Sequence, residues 1–161
     1  MSLLNIRLFL PLFVMLLFAA CSSQPRYIDS RPGTPQQNRA TSQPLIAHAL
    51  EQRGTAYRYG GSHPATGFDC SGLIQFSYLQ VGKRIPRTTR AQYQASRPVP
   101  LGRIRPGDLL FYQTEGRKPG HVALYLGRGE MIHAPSSGKH VLISRLDNPY
   151  WRKRLIAAGR F

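Results

Sequence analysis

At 161 residues the chain is long enough for one domain with attachments and too short for two. Its 22 Lys and Arg against 7 Asp and Glu give a formal charge of +15, and two cysteines exclude a disulfide framework. The elements are therefore sought in a single basic domain whose core must come from packing.

Residues 1–7 carry Arg7 and no acid, and residues 8–20 (LFLPLFVMLLFAA) form an uncharged apolar run interrupted by Pro11. The run is shorter than the roughly 20 residues a membrane-spanning helix needs, so residues 1–20 read as an export signal. The run ends in Ala19-Ala20-Cys21. Small residues directly before a cysteine resemble a bacterial lipoprotein signal, in which Cys21 becomes the acylated, palmitate-bearing N-terminus. Phe18 stands where that pattern usually has Leu. A plain cleavable signal fits less well, because Phe18 would occupy a position that needs a small residue. Ser22, where an Asp would suggest inner-membrane retention, points to an outer membrane facing the periplasm. Removal of residues 1–20 takes away Arg7 alone, leaving 21 basic and 7 acidic side chains. Such a charge suits nucleic acid, but an exported protein meets little of it. Weak attraction to envelope anions is the expected consequence, with no nucleic-acid partner.

Residues 21–43 are rich in Ser, Gln, Pro and Thr and poor in aliphatics, which predicts a flexible tether with a reach of roughly 25 Å. The compact domain is expected over residues 44–161, as a monomer. Leu45, Ile46, Ala49 and Leu50 fall on one helical face that ends at Gly54. Residues 58–68 are a Gly/Pro-rich loop. A second helix is predicted from Cys70 to Gly82, and a short one around Thr89–Gln94. The period then changes. A turn at Arg105–Asp108 leads to apolar runs at 109–112, 121–126, 131–134, 141–144 and 155–161, which predict strands. Helices first and an antiparallel sheet second make an α+β fold.

Cys70 lies where a loop is predicted to become a helix. Unpaired N–H groups at a helix start favour an anion, which lowers a thiol pKa and can hold an oxyanion. Asp69 beside it argues against a purely apolar niche for a structural cysteine. A thiol nucleophile needs a base, and histidine has the suitable pKa. His48, His63 and His140 fall on surface positions. His121 and His133 fall within strands, and alternation places His121 with Ala123 and Tyr125, on a face expected to meet the helix terminus. If the two strands pair, His133 can orient the His121 ring, as the third member of a triad does. Two histidines and one cysteine could also hold zinc, but the sequence lacks the close H-x-x-x-H or C-x-x-C spacing. No metal and no cofactor are expected.

The ordered blocks Gly54-Thr55-Ala56-Tyr57-Arg58-Tyr59-Gly60-Gly61, Asp69-Cys70-Ser71-Gly72-Leu73-Ile74-Gln75, Pro86-Arg87-Thr88-Thr89 with Gln92, Pro106-Gly107-Asp108-Leu109, Gly120–Tyr125 and Ile132-His133-Ala134 resemble the NlpC family of papain-like cell-wall cysteine peptidases. The Asn-Pro-Tyr-Trp segment at 148–151 is similar to its small lipoprotein members. The resemblance implies a papain-like fold and peptidoglycan peptide as substrate. It makes Cys70 the nucleophile, His121 the general base and His133 its orienting partner. It places the Tyr57 hydroxyl near the oxyanion, and it assigns Asp69 and Ser71 to holding a free substrate amine. Ala56 and Tyr59 replace the usual Pro and Trp, a change that bears on specificity. An amidase or acyltransferase on the same scaffold, and a non-catalytic envelope lipoprotein, are the alternatives.

Overall fold

The computed structural model describes residues 35–161 except positions 115 and 117. Cys21 and residues 1–20, expected to be an export signal, lie outside the described residues. Helix α1 spans Pro35–Glu51. Proline is at home in its first position, where no N–H is needed. Leu45 and Ala49 are buried and anchor it, while Leu50 stays exposed. Residues 35–43, expected to belong to a flexible tether, are helical instead. Gln, Arg and Ala upstream of the anchor have propensities good enough to continue a helix that packing has started. Gly54, at φ 89°, turns the chain away. Its N–H donates to the Val141 carbonyl at 2.9 Å, tying the helix end to the segment just before residue 142.

The Gly-rich loop contains a two-stranded hairpin, β1 (Ser62–His63) with β2 (Gly67–Phe68). Helix α2 runs over Cys70–Gln80 and buries Leu73, Ile74, Ser77 and Tyr78. Gly72 in its first turn touches the loop so closely that a Cβ there would strike the Gly61 carbonyl. Gly82, at φ 75°, follows its end. Helix α3 spans Thr89–Ala95 and is capped by Thr88. Its buried Gln92 donates to the carbonyls of Ser71 (3.0 Å) and Pro86 (2.9 Å), which locks α3 onto the start of α2.

The second half forms a sheet of β3 (Arg97–Val99), β4 (Leu109–Tyr112), β5 (His121–Gly127), β6 (Glu130–His133), β7 (Leu142–Arg145) and β8 (Leu155–Arg160), in the order β3-β8-β4-β5-β6-β7. Every neighbouring pair is antiparallel. A short helix, α4 (Pro149–Arg152), precedes β8. The α+β fold predicted from the sequence is the fold observed.

Both faces of the sheet are covered. Leu109, Phe111, Val122, Leu124 and Ile132 join Leu45, Phe68, Leu73 and Ile74 under the helices. Leu110, Tyr112, Ala123 and Met131 form a second cluster, closed by Trp151 of α4. A buried ion pair pins the sheet, with Arg160 Nη2 donating to Asp108 Oδ2 at 2.7 Å.

Candidate active site

Cys70 is the first residue of α2, and Asp69 is the N-cap. Asp69 Oδ1 accepts from the Gly72 N–H at 2.7 Å, satisfying one of the orphan donors of the first turn. The same carboxylate accepts two bonds from Arg87, 2.9 Å to Oδ1 and 2.7 Å to Oδ2. It also accepts from the Ser71 hydroxyl at 3.2 Å and the Gly60 N–H at 3.0 Å. Five donors fill the roughly four acceptor positions of a carboxylate. Arg87 donates in addition to Ser71 Oγ at 3.0 Å and to the Gly61 carbonyl at 3.0 Å. One guanidinium thus clamps the N-cap, the first turn of α2 and the Gly-rich loop together.

The Cys70 thiol is partly buried, with Sγ 3.5 Å from Thr89 Oγ1. The N–H groups of Val122 and Ser71 also face it and favour its anion, as the Thr89 hydroxyl does. Burial outweighs them and, with the Asp69 charge adding, pushes the thiol above its ordinary value. The sequence predicts a thiol lowered by the helix start. That field is present, but the capping carboxylate offsets it and the burial was not readable in advance.

Tyr57 packs on the same core cluster as Cys70, near enough to feel its charge. Burial, then the charges of Cys70, Asp69 and Tyr59, push its phenol up, so the hydroxyl keeps its proton and remains a donor.

β5 and β6 pair, and the two histidine rings meet: His121 Nε2 lies 2.9 Å from His133 Nδ1. The other nitrogen of His133, Nε2, lies 2.9 Å from Ser144 Oγ on β7. Trp151 stacks on His121, with centroids 5.0 Å apart and planes at 27°, and stands edge-on to His133 at 4.8 Å. Both histidines are buried. Burial holds both rings below the ordinary histidine value, helped by mutual repulsion at His121 and by Lys139 at His133. Both are neutral at pH 7.

The face that His121 shares is not the one the helices cover. His121 and His133 lie with Ala123 and Met131 beneath Trp151, whereas α2 packs on the face of Val122 and Leu124. The Val122 N–H faces the thiol, so Cys70 lies against the first residues of β5, the strand that begins with His121. In the resting arrangement the thiol's side-chain partner is Thr89. Among the described residues no cluster of three or more His, Cys, Asp or Glu could hold a metal ion.

The NlpC/P60 family model matches residues 54–160. The chain belongs to the NlpC/P60 family. It is 41% identical over 115 residues to the murein DD-endopeptidase MepH of Escherichia coli (strain K12), an overlap covering 69% of this chain and 42% of that protein. It is 39% identical over 118 residues to the bifunctional muramidase/DL-endopeptidase CwlT of Bacillus subtilis (strain 168), covering 72% and 35%. In both cases the chain spans less than half of the relative's length. The crystal structure of the NlpC/p60 domain of peptidoglycan hydrolase SagA superposes with a TM-score of 0.65 at 36% identity, covering 74% of this chain and 98% of that one.

Within this NlpC/P60 domain, Tyr57, Asp69, Cys70 and Ser71 gather at the start of α2, and His121 and His133 gather under Trp151. Arg87 engages both Asp69 and Ser71, the two residues the resemblance assigns to a substrate amine. Sequence reasoning passed over four further side chains. Arg87 and Thr89 lay within a quoted block, and the nearby acid Asp69 and the nucleophile were the signals that could have given them roles. Ser144 faces the second nitrogen of His133, and the strand alternation through Leu142–Arg145 could have placed it there. Trp151 lay in the Asn-Pro-Tyr-Trp segment, but its place over the histidines is set by the tertiary approach of α4.

Proposed function

We propose that this chain is a peptidase that hydrolyses stem or cross-bridge peptides of peptidoglycan through Cys70. The observation that carries the reading is the meeting of a helix-start thiol with the first residues of β5, where His121 is paired at 2.9 Å to a second buried histidine. The activities for which the relatives are named, murein DD-endopeptidase and DL-endopeptidase, support the substrate class.

In this reading the Cys70 sulfur bonds to the peptide carbonyl carbon as its proton passes to His121. The carbonyl becomes an oxyanion, held by the Cys70 N–H and the Tyr57 hydroxyl. His121 returns the proton to the leaving amine as the C–N bond breaks, which leaves a thioester. A water molecule, losing its proton to His121, then displaces the thiol. Because His121 Nε2 is taken by His133, Nδ1 is the nitrogen available to the thiol. His133 orients the ring. Asp69 and Ser71 serve as the frame of the nucleophile rather than as an amine receptor, given their engagement with Arg87. Export, acylation at Cys21 and an outer-membrane position would bring the domain to its polymer. Radiolabelled palmitate incorporation that is lost in Cys21→Ala tests that part.

The decisive assay is mass spectrometry of purified sacculi digested by the wild type and by Cys70→Ala. The wild type should release muropeptides with new peptide termini, and Cys70→Ala should lose at least about a thousandfold of the rate. Cleavage at the muramoyl amide would instead place the enzyme among amidases. Equal binding with no product from either protein would make it a non-catalytic envelope protein.

A further inference from the structure

His133 has both ring nitrogens engaged: Nδ1 lies 2.9 Å from His121 Nε2, and Nε2 lies 2.9 Å from Ser144 Oγ. A neutral imidazole carries one proton, so one nitrogen donates and the other accepts. Two proton arrangements satisfy this short chain. In the first, His121 Nε2–H donates to His133 Nδ1, and His133 Nε2–H donates to Ser144 Oγ. In the second every bond runs backwards: the Ser144 hydroxyl donates to His133 Nε2, and His133 Nδ1–H donates to His121 Nε2.

The two arrangements are equal in hydrogen bonds and opposite in chemistry. In the first, His121 Nδ1 holds a lone pair and can take a proton. In the second, the single proton of His121 sits on Nδ1 and the ring is no base toward the thiol. Only in the first can the imidazolium formed at His121 keep its Nε2–H bond to His133. Nothing in the ring pair itself selects between them, since both members are histidines and both are buried.

We propose that Ser144 is a positioning residue that makes the first arrangement the resting one, by accepting from His133 Nε2 and so fixing the tautomers of both histidines. Ser144 is suited to accept. It is only partly buried, on the edge strand β7, so its own hydroxyl proton has solvent to turn to. Register places it opposite Met131, two residues before His133 on β6, so the bond to His133 is a diagonal contact on one face. A serine hydroxyl has two acceptor lone pairs and a rotatable proton, and it can accept without giving up its bond to water.

The catalytic consequence rests on the proposed peptidase activity, while the tautomer assignment does not. Long-range proton–nitrogen correlation spectra of the ¹⁵N-histidine-labelled protein read the protonated nitrogen of each ring without substrate. The wild type should show His133 protonated at Nε2 and His121 at Nε2. In Ser144→Ala, His133 should become a mixture of tautomers, with kcat lower by about tenfold, the equivalent of one net hydrogen bond. KM and the melting temperature should stay near wild type. Ser144→Thr, which restores an acceptor, should recover both the spectrum and the rate. In a His133→Asn background, Ser144→Ala should have no further effect, because asparagine is too short to reach Ser144 and presents its own acceptor to His121. His133 protonated at Nδ1 in the wild type would overturn the proposal, as would Ser144→Ala lowering kcat equally in the His133→Asn background. If sacculi are not cleaved at all, the spectra still decide the role of Ser144.

Discussion

Cys70 sits in two opposed fields. The helix start, Thr89 and the Val122 N–H favour its thiolate, while burial and the Asp69 carboxylate favour the thiol. Burial wins, and the paired histidines are themselves neutral. On the proposed reading the resting site therefore holds a thiol and neutral imidazoles, and the proton must move as attack proceeds. The rate of Cys70 alkylation by iodoacetamide should rise with pH along a titration whose midpoint lies above that of a free cysteine peptide. A midpoint well below it would mean a preformed thiolate–imidazolium pair. Trp151 is the only tryptophan in the chain, and it seals the histidine pair. Replacing it by Ala should admit water and lower kcat by about tenfold, whereas Phe should retain most of the rate, as steady-state assays on sacculi would show. Much of the site was legible at this scale. Cys70, His121 and His133 stand out because nucleophile and base chemistry restricts the residue types. Thr89, Ser144 and Trp151 act through hydroxyl and ring contacts made across tertiary distances, so their partners were not given by their own positions in the sequence.

The start of α2 is where element and chemistry meet. Its N-cap, its first turn and the Gly-rich loop are held in one network centred on Arg87. Gly72 lets the helix and loop approach. Gly72→Ala would force Cβ into the Gly61 carbonyl, which is backbone and cannot swing aside. We expect a loss of about 1–3 kcal/mol in denaturant unfolding, typical of overpacking, together with reduced activity because the thiol moves with its helix. Unchanged stability would show that the loop yields freely. The elements around this junction were well predicted. α2, α3 and the five main strands follow from periodicity, Gly82 and the Arg105–Asp108 turn. The missed elements are short. The two-residue strands β1 and β2, the three residues of β3 and the single turn of α4 are too brief to show a period. α1 begins earlier than composition suggested, because Leu45 and Ala49 stabilise helix that a polar segment would not form alone.

For the whole molecule, the buried histidines couple stability to pH. Their folded-state pKa values are depressed below the ordinary value of about 6.5. Below that pH the unfolded chain binds protons that the folded one refuses, so stability is lost as pH falls from about 6.5. The groups facing the pair among the described residues are Lys139, Ser144, Tyr112 and Trp151, along with each ring itself, and none of these is a carboxylate that would hold a protonated ring in place. The melting temperature should fall between pH 7 and pH 5, and it should fall less in a His121→Gln/His133→Asn variant; equal slopes would place the acid sensitivity elsewhere. If one thiol cuts wall peptide, sacculi digestion read by mass spectrometry must show it. The wild type should yield new peptide termini, and Cys70→Ala none above background. Identical products from the two proteins would contradict it.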